Sequence, residues 1–94
     1  MSFEWDPDKA EANFRKHGVR FAEAEPVFVD DRAITIADDE SDPDERRFVS
    51  IGMGVRERVL VVVYCYRGRN IRIRLECVFS EFRFANGSVS VARA

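Results

Sequence analysis

No apolar run in this chain approaches the roughly 20 residues that cross a bilayer. The N-terminus has neither the basic flank nor the apolar stretch of an export signal. A cytoplasmic protein with no membrane partner is therefore expected. Cysteine is scarce, two in 94 residues, and there is a single histidine; no metal-site spacing results, and no metal or other cofactor is expected. With a turn at Arg67 to Asn70, the two cysteines fall on neighbouring strands, where Cys65 pairs with Arg72 and Cys77 with Leu60. Their thiols are then too far apart to bridge, and both read as core-filling side chains. A glycine-rich phosphate loop, a Ser-His-Asp or Cys-His nucleophile arrangement and any internal repeat are also missing. What remains is room for one domain, residues 1–94, with one modest core.

The most detailed stretch is FEWDPDKAEANFRKHGVRFAEAEPVF, Phe3 to Phe28. Phe3 and Trp5 share one face of a short extended segment. Asp6 is a good N-cap and Pro7 suits the first helical position, where its missing N–H costs nothing. Acidic residues early, Arg15, Lys16 and His17 late, and then Gly18, give a helix from Pro7 to about His17. A shorter amphipathic helix is expected from about Phe21 to Phe28, with Phe21, Ala24 and Phe28 at spacings of three and four. Trp5, Phe14, Phe21 and Phe28 read as core rather than as base-stacking platforms.

Beyond this point the chain reads as strands. Ala33 to Ala37 is β-rich, Asp38 to Asp44 is an acidic loop, and Phe48 to Met53 resumes apolar character. Val59 to Tyr66 is apolar throughout, as in a central strand covered on both sides. Ile71 to Phe79 alternates, with Ile71, Ile73, Leu75, Cys77 and Phe79 on one face and Arg72, Arg74 and Glu76 on an open one. The expected class is α+β, two N-terminal helices packed on a mainly antiparallel sheet of about four strands. Glu81 to Ala85 and Ser88 to Val91 flank Asn86-Gly87, a strong signal for an extra C-terminal hairpin.

A net charge of −2 conceals a polar distribution. Residues 1–45 hold 14 acids and five bases, whereas residues 46–94 hold ten arginines and three acids. Thirteen of the fifteen basic residues are arginine, the side chain suited to bidentate phosphate contacts and to stacking on bases, so RNA is a sensible partner. Ordinary solvated strand residues, or pairing with the acidic half, are the alternative explanation.

Trp5, Asp6, Lys9, Asn13, Lys16, His17, Gly18, Val19, Phe21, Ala24, Val27 and Phe28 together resemble the N-terminus of BrnT-type toxins, the ribonuclease half of a bacterial type II toxin-antitoxin pair. The likeness continues through Glu45-Arg46, Ile51-Gly52, the strand Val59 to Tyr66 and Ile71-Arg72-Ile73. It implies a RelE-like fold whose open sheet face takes RNA, and a BrnA-type antitoxin as partner. Operator DNA would be met only indirectly, through that antitoxin. The likeness fails abruptly at about Arg74, where such toxins continue into a serine-alanine-arginine turn and a charged helix. Residues 74–94 form an atypical tail here, either the product of a shifted reading frame or an alternative terminal hairpin.

Metal-independent RNA cleavage, in which the ribose 2′-OH attacks its own phosphorus, needs a base, an acid and a cation for the charged phosphorane. Arg72 and Arg74 are the first candidates for the cation, and Arg46 the next. His17 is the candidate for acid-base work, although a histidine before a helix-ending glycine also commonly binds the last carbonyls. Lys9, Asn13 and Lys16 fall at i, i+4 and i+7, one stripe that would border an RNA groove or simply be solvated. Two functions follow. One is an endoribonuclease that cleaves cellular RNA and stalls growth until antitoxin neutralises it; the other is a catalytically impaired toxin-fold module that only binds antitoxin.

Overall fold

The computed structural model of the chain describes residues 2–38 and 46–79, with the backbone of 82–85 and 88–91. Strand β1 (Ser2–Glu4) leads into helix α1 (Pro7–His17). The Asp8 N–H donates to Asp6 Oδ1 at 2.8 Å, which caps the helix at the expected place. Gly18 ends it at φ 69°, a left-handed conformation, and donates its N–H to the Phe14 carbonyl at 2.8 Å. The next segment, Phe21–Val29, is a 3-10 helix rather than an α-helix. Pro26 inside it has no N–H to give and its ring clashes with the carbonyl four residues back, which disfavours a continuous α-helix there.

Strands β2 (Ile34–Ala37), β3 (Arg47–Met53), β4 (Val59–Arg67) and β5 (Asn70–Val78) follow. The sheet has five strands in the order β1-β5-β4-β3-β2, and β1 runs parallel to β5 while the other pairs are antiparallel. The expected count of about four strands is corrected by β1. The extended segment read at Phe3 is a fifth strand of the sheet, with Phe3 paired to Ile71 and Glu4 to Arg72. Strands β6 (Phe82–Ala85) and β7 (Ser88–Val91) pair separately, Ala85 opposite Ser88, as the hairpin reading expects. Asn86-Gly87 between them, and nearly all of the acidic loop, lie outside the described residues.

Both helices pack on one face of the sheet. Val19, Phe21, Ala24 and Val27 meet Leu60, Val62, Tyr64, Ile71 and Ile73 there, with Phe3, Trp5 and Phe28 against them. Phe14 is the exception among the aromatics assigned to the core. It is 38% exposed, with the Arg20 guanidinium 4.1 Å above its ring.

The face expected to be open is not. Val49, Val61 and Cys77 are buried on it as a second cluster, with Ile51 and Val63 beside them. A β-bulge decides which residues of β5 join that cluster. Val63 pairs with Leu75 but Tyr64 pairs with Ile73, so Arg74 is an extra residue in β5 with no partner position in β4. From Leu75 onward the alternation is inverted. Cys77 lies opposite Val61 instead of Leu60, on the second face, and Glu76 opposite Val62, on the helix face, where it is fully buried. Cys65 opposite Arg72 is as expected, and both cysteines are buried.

Candidate functional site

The stripe of α1 that carries Lys9, Asn13 and Lys16 lies against β5. Between them runs a groove of about 190 Å³ lined by Lys9, Asn13, Lys16, His17, Arg74 and Leu75. Five of the seven residues singled out from sequence meet here. Lys9 and Lys16 are exposed, Arg74 is half-buried, and His17 is buried. Three cationic side chains beside one imidazole are the chemistry that suits an anionic ligand such as a phosphodiester.

Asn13 is the pin of this arrangement. Its Oδ1 accepts the Glu76 N–H at 3.0 Å and its Nδ2 donates to the Val19 carbonyl at 3.3 Å. Those bonds tie α1 to the strand two residues beyond the bulge, so the amide is engaged in holding Arg74 beside the lysines.

Arg72 and Arg74 were expected side by side on one face, and the structure separates them. Arg72 alternates with Ile71 and Ile73 and therefore points away from α1, where its Nη1 meets Glu4 Oε2 at 3.2 Å. Arg46 is also elsewhere. It is exposed just before β3, two strands or about 10 Å from β5, with its guanidinium 5.9 Å from the Phe48 ring centroid.

Behind the groove lies a polar nest that no sequence pattern announced. Burial raises the Glu23 carboxyl, but the Arg20 N–H, Arg58 at 3.2 Å and Arg56 at 3.7 Å outweigh it and hold it below its ordinary value. The Glu76 carboxyl is pushed up to about 9, first by burial and then by the Glu23 charge, with Arg58 opposing. Neither Glu76 oxygen has a hydrogen-bond partner among the described residues. Glu76 is thus neutral at pH 7, a consequence of the bulge.

On the other flank of α1 is an apolar-walled cleft of about 680 Å³ between Trp5, Phe14, Arg20 and Phe21. None of the residues predicted to face RNA lines it.

A family model described as the ribonuclease toxin BrnT of type II toxin-antitoxin systems matches residues 5–74. The chain belongs to the BrnT family of ribonuclease toxins. Comparison with curated proteins gives no significant match. The BrnT match takes in the whole cationic side of the groove and ends on the bulge residue Arg74. As a type II toxin, the chain has an antitoxin as its partner. Among the described residues, no helix is long and apolar enough to cross a membrane.

Proposed function

We propose that this BrnT toxin is a metal-independent endoribonuclease that holds the scissile phosphate of cellular RNA in the groove between α1 and β5 and is neutralised by a BrnA-type antitoxin. The observation that carries the reading is the convergence of Lys9, Lys16, His17 and Arg74 from two distant parts of the chain. In it, Arg74 stabilises the charge that develops on phosphorus, the two lysines position the neighbouring phosphates, and His17 moves the proton of the 2′-OH. Arg72 and Arg46 lie outside the groove and take no part at the reacting phosphate.

The test is cleavage of a mixed-structure RNA in excess EDTA, beside a Lys9→Ala/Lys16→Ala/Arg74→Ala variant. Cleavage by the parent and its loss in the variant is the expected result. RNA binding by the variant should also fall less steeply with salt, by about three counterions' worth of slope. Equal cleavage by both proteins would refute the placement.

A second reading has its own support. The family match ends at residue 74, and two residues later the strand buries a carboxyl with no partner among the described residues. A sequence shaped for this fold rarely does that. On this reading the segment after Arg74 is out of frame and the protein only binds antitoxin. Cleavage solely by a version with a family-type C-terminal helix restored would establish it.

A further inference from the structure

We propose that the pocket beside Tyr66, on the helix face at the far end of β4, is a nucleobase subsite that selects a base bearing an exocyclic amino group in single-stranded RNA. The proposal rests on the RNA-cleaving reading above and adds a specificity site to it.

The pocket has a volume of about 260 Å³ and is lined by Phe28, Asp30, Thr35, Ser50, Tyr64 and Tyr66, among others. Tyr66 is 55% exposed, yet its ring is held edge-on against Phe48 at 5.6 Å and Tyr64 at 5.8 Å. A fixed aromatic ring with so much of its surface bare is a stacking platform that pays little ordering entropy. Nearby are cations of the kind that follow an RNA backbone: Arg46 over Phe48, Arg67 exposed at the end of β4 and Arg69 exposed in the turn that follows.

The pocket's polar groups have a donor and acceptor logic. Thr35 Oγ1 and Ser50 Oγ are 2.9 Å apart and Ser50 Oγ and Tyr64 Oη 2.9 Å, and the Tyr66 hydroxyl also bonds Tyr64, so hydroxyls link exposed Thr35 through buried Tyr64 to the platform ring. Each hydroxyl can donate or accept, so Thr35 can donate to or accept from a base edge. Asp30 accepts from the Met53 N–H at 2.9 Å and the Arg32 N–H at 3.0 Å, and these bonds hold its carboxyl below its ordinary value. It stays ionised, with lone pairs to spare for an amino group. Uracil offers no such amino donor, whereas adenine, cytosine and guanine do.

The experiment is fluorescence anisotropy of labelled A, C and U octamers with the wild type, Tyr66→Ala, Tyr66→Phe and Thr35→Val, at several salt concentrations. Both substituted positions are exposed, so the fold is retained. The wild type should bind A and C octamers more tightly than U. Tyr66→Ala should weaken binding about tenfold, equivalent to about 1.4 kcal/mol, with an unchanged salt slope, while Tyr66→Phe keeps wild-type affinity and Thr35→Val narrows the preference against U. Equal binding of all octamers by the wild type and Tyr66→Ala, with the groove triple variant still losing salt-dependent affinity, would overturn the subsite and leave the groove standing. No RNA binding by the wild type would overturn both.

Discussion

Glu76→Gln should remove a loss of stability that the parent shows at alkaline pH. In the unfolded chain this carboxyl titrates near 4.5, and in the folded chain burial and the Glu23 charge push it up to about 9. Between those values the folded state binds one more proton than the unfolded state. Stability from this group is complete below 4.5 and declines as pH rises through the window, by about 1.4 kcal/mol per pH unit. From pH 6 to pH 8 the parent should lose about 2 to 3 kcal/mol, a shift of roughly 10 to 20 °C in Tm for a domain of this size. Glutamine has the same shape and does not ionise, so the variant should be nearly flat over that range. Glu23 and Asp30, both lowered, act in the opposite sense. Their contribution is present above their unfolded values and is lost as pH falls, so the acid limb should be common to both proteins. Urea unfolding at pH 6, 7 and 8 measures the difference directly. Parallel pH profiles would refute the assignment of Glu76 as a buried, neutral acid.

Asn13→Ala removes the acceptor of the buried Glu76 N–H and the donor to Val19, and should cost about 1 to 3 kcal/mol in urea unfolding; a change below about 0.5 kcal/mol would show that the amide does not pin α1 to β5. Gly54→Ala would drive its Cβ into the Leu60 side chain and to 3.1 Å from the Glu23 carbonyl, an overpacking cost of about 1 to 3 kcal/mol, whereas Gly18→Ala meets nothing within 4 Å and suffers only the strain of φ 69°, about 1 kcal/mol. Equal Tm losses in the two alanine variants would contradict that distinction.

The helix α1 was legible residue by residue because cap, dipole order and terminating glycine are local. The groove was half legible. Lys9, Asn13 and Lys16 follow from helical spacing alone, but their meeting with Arg74 depends on which way β5 turns its side chains, and that depends on one inserted residue. Strict alternation put Arg72, Arg74 and Glu76 together, while the bulge distributes them to the second face, the groove and the core. Strand β1 was legible as an extended segment but not as part of the sheet, since a parallel pairing is decided by the partner strand. Tyr66 was hidden within an apolar run read as uniformly covered. It is 55% exposed beside a fully buried cross-strand partner, Ile71, a difference set by what packs over each strand, which no property of the strand itself reveals.

The bulge also couples function to stability in one short stretch of β5. By adding one residue opposite the Val63–Tyr64 step, it turns Arg74 toward Lys9, Lys16 and His17 and carries Glu76 into the core. A straight strand would keep Arg74 off the groove and set Glu76 opposite Val61 on the second face, so the cation proposed to meet the phosphate and the carboxyl buried near Glu23 arise from the same distortion. The two effects are nevertheless separable, because Glu76 is neutral near pH 7 and fully buried. Its replacement by glutamine should therefore raise stability at pH 8 while leaving the salt slope of RNA binding unchanged. A change in that slope at pH 7 would mean that Glu76 carries charge felt in the groove.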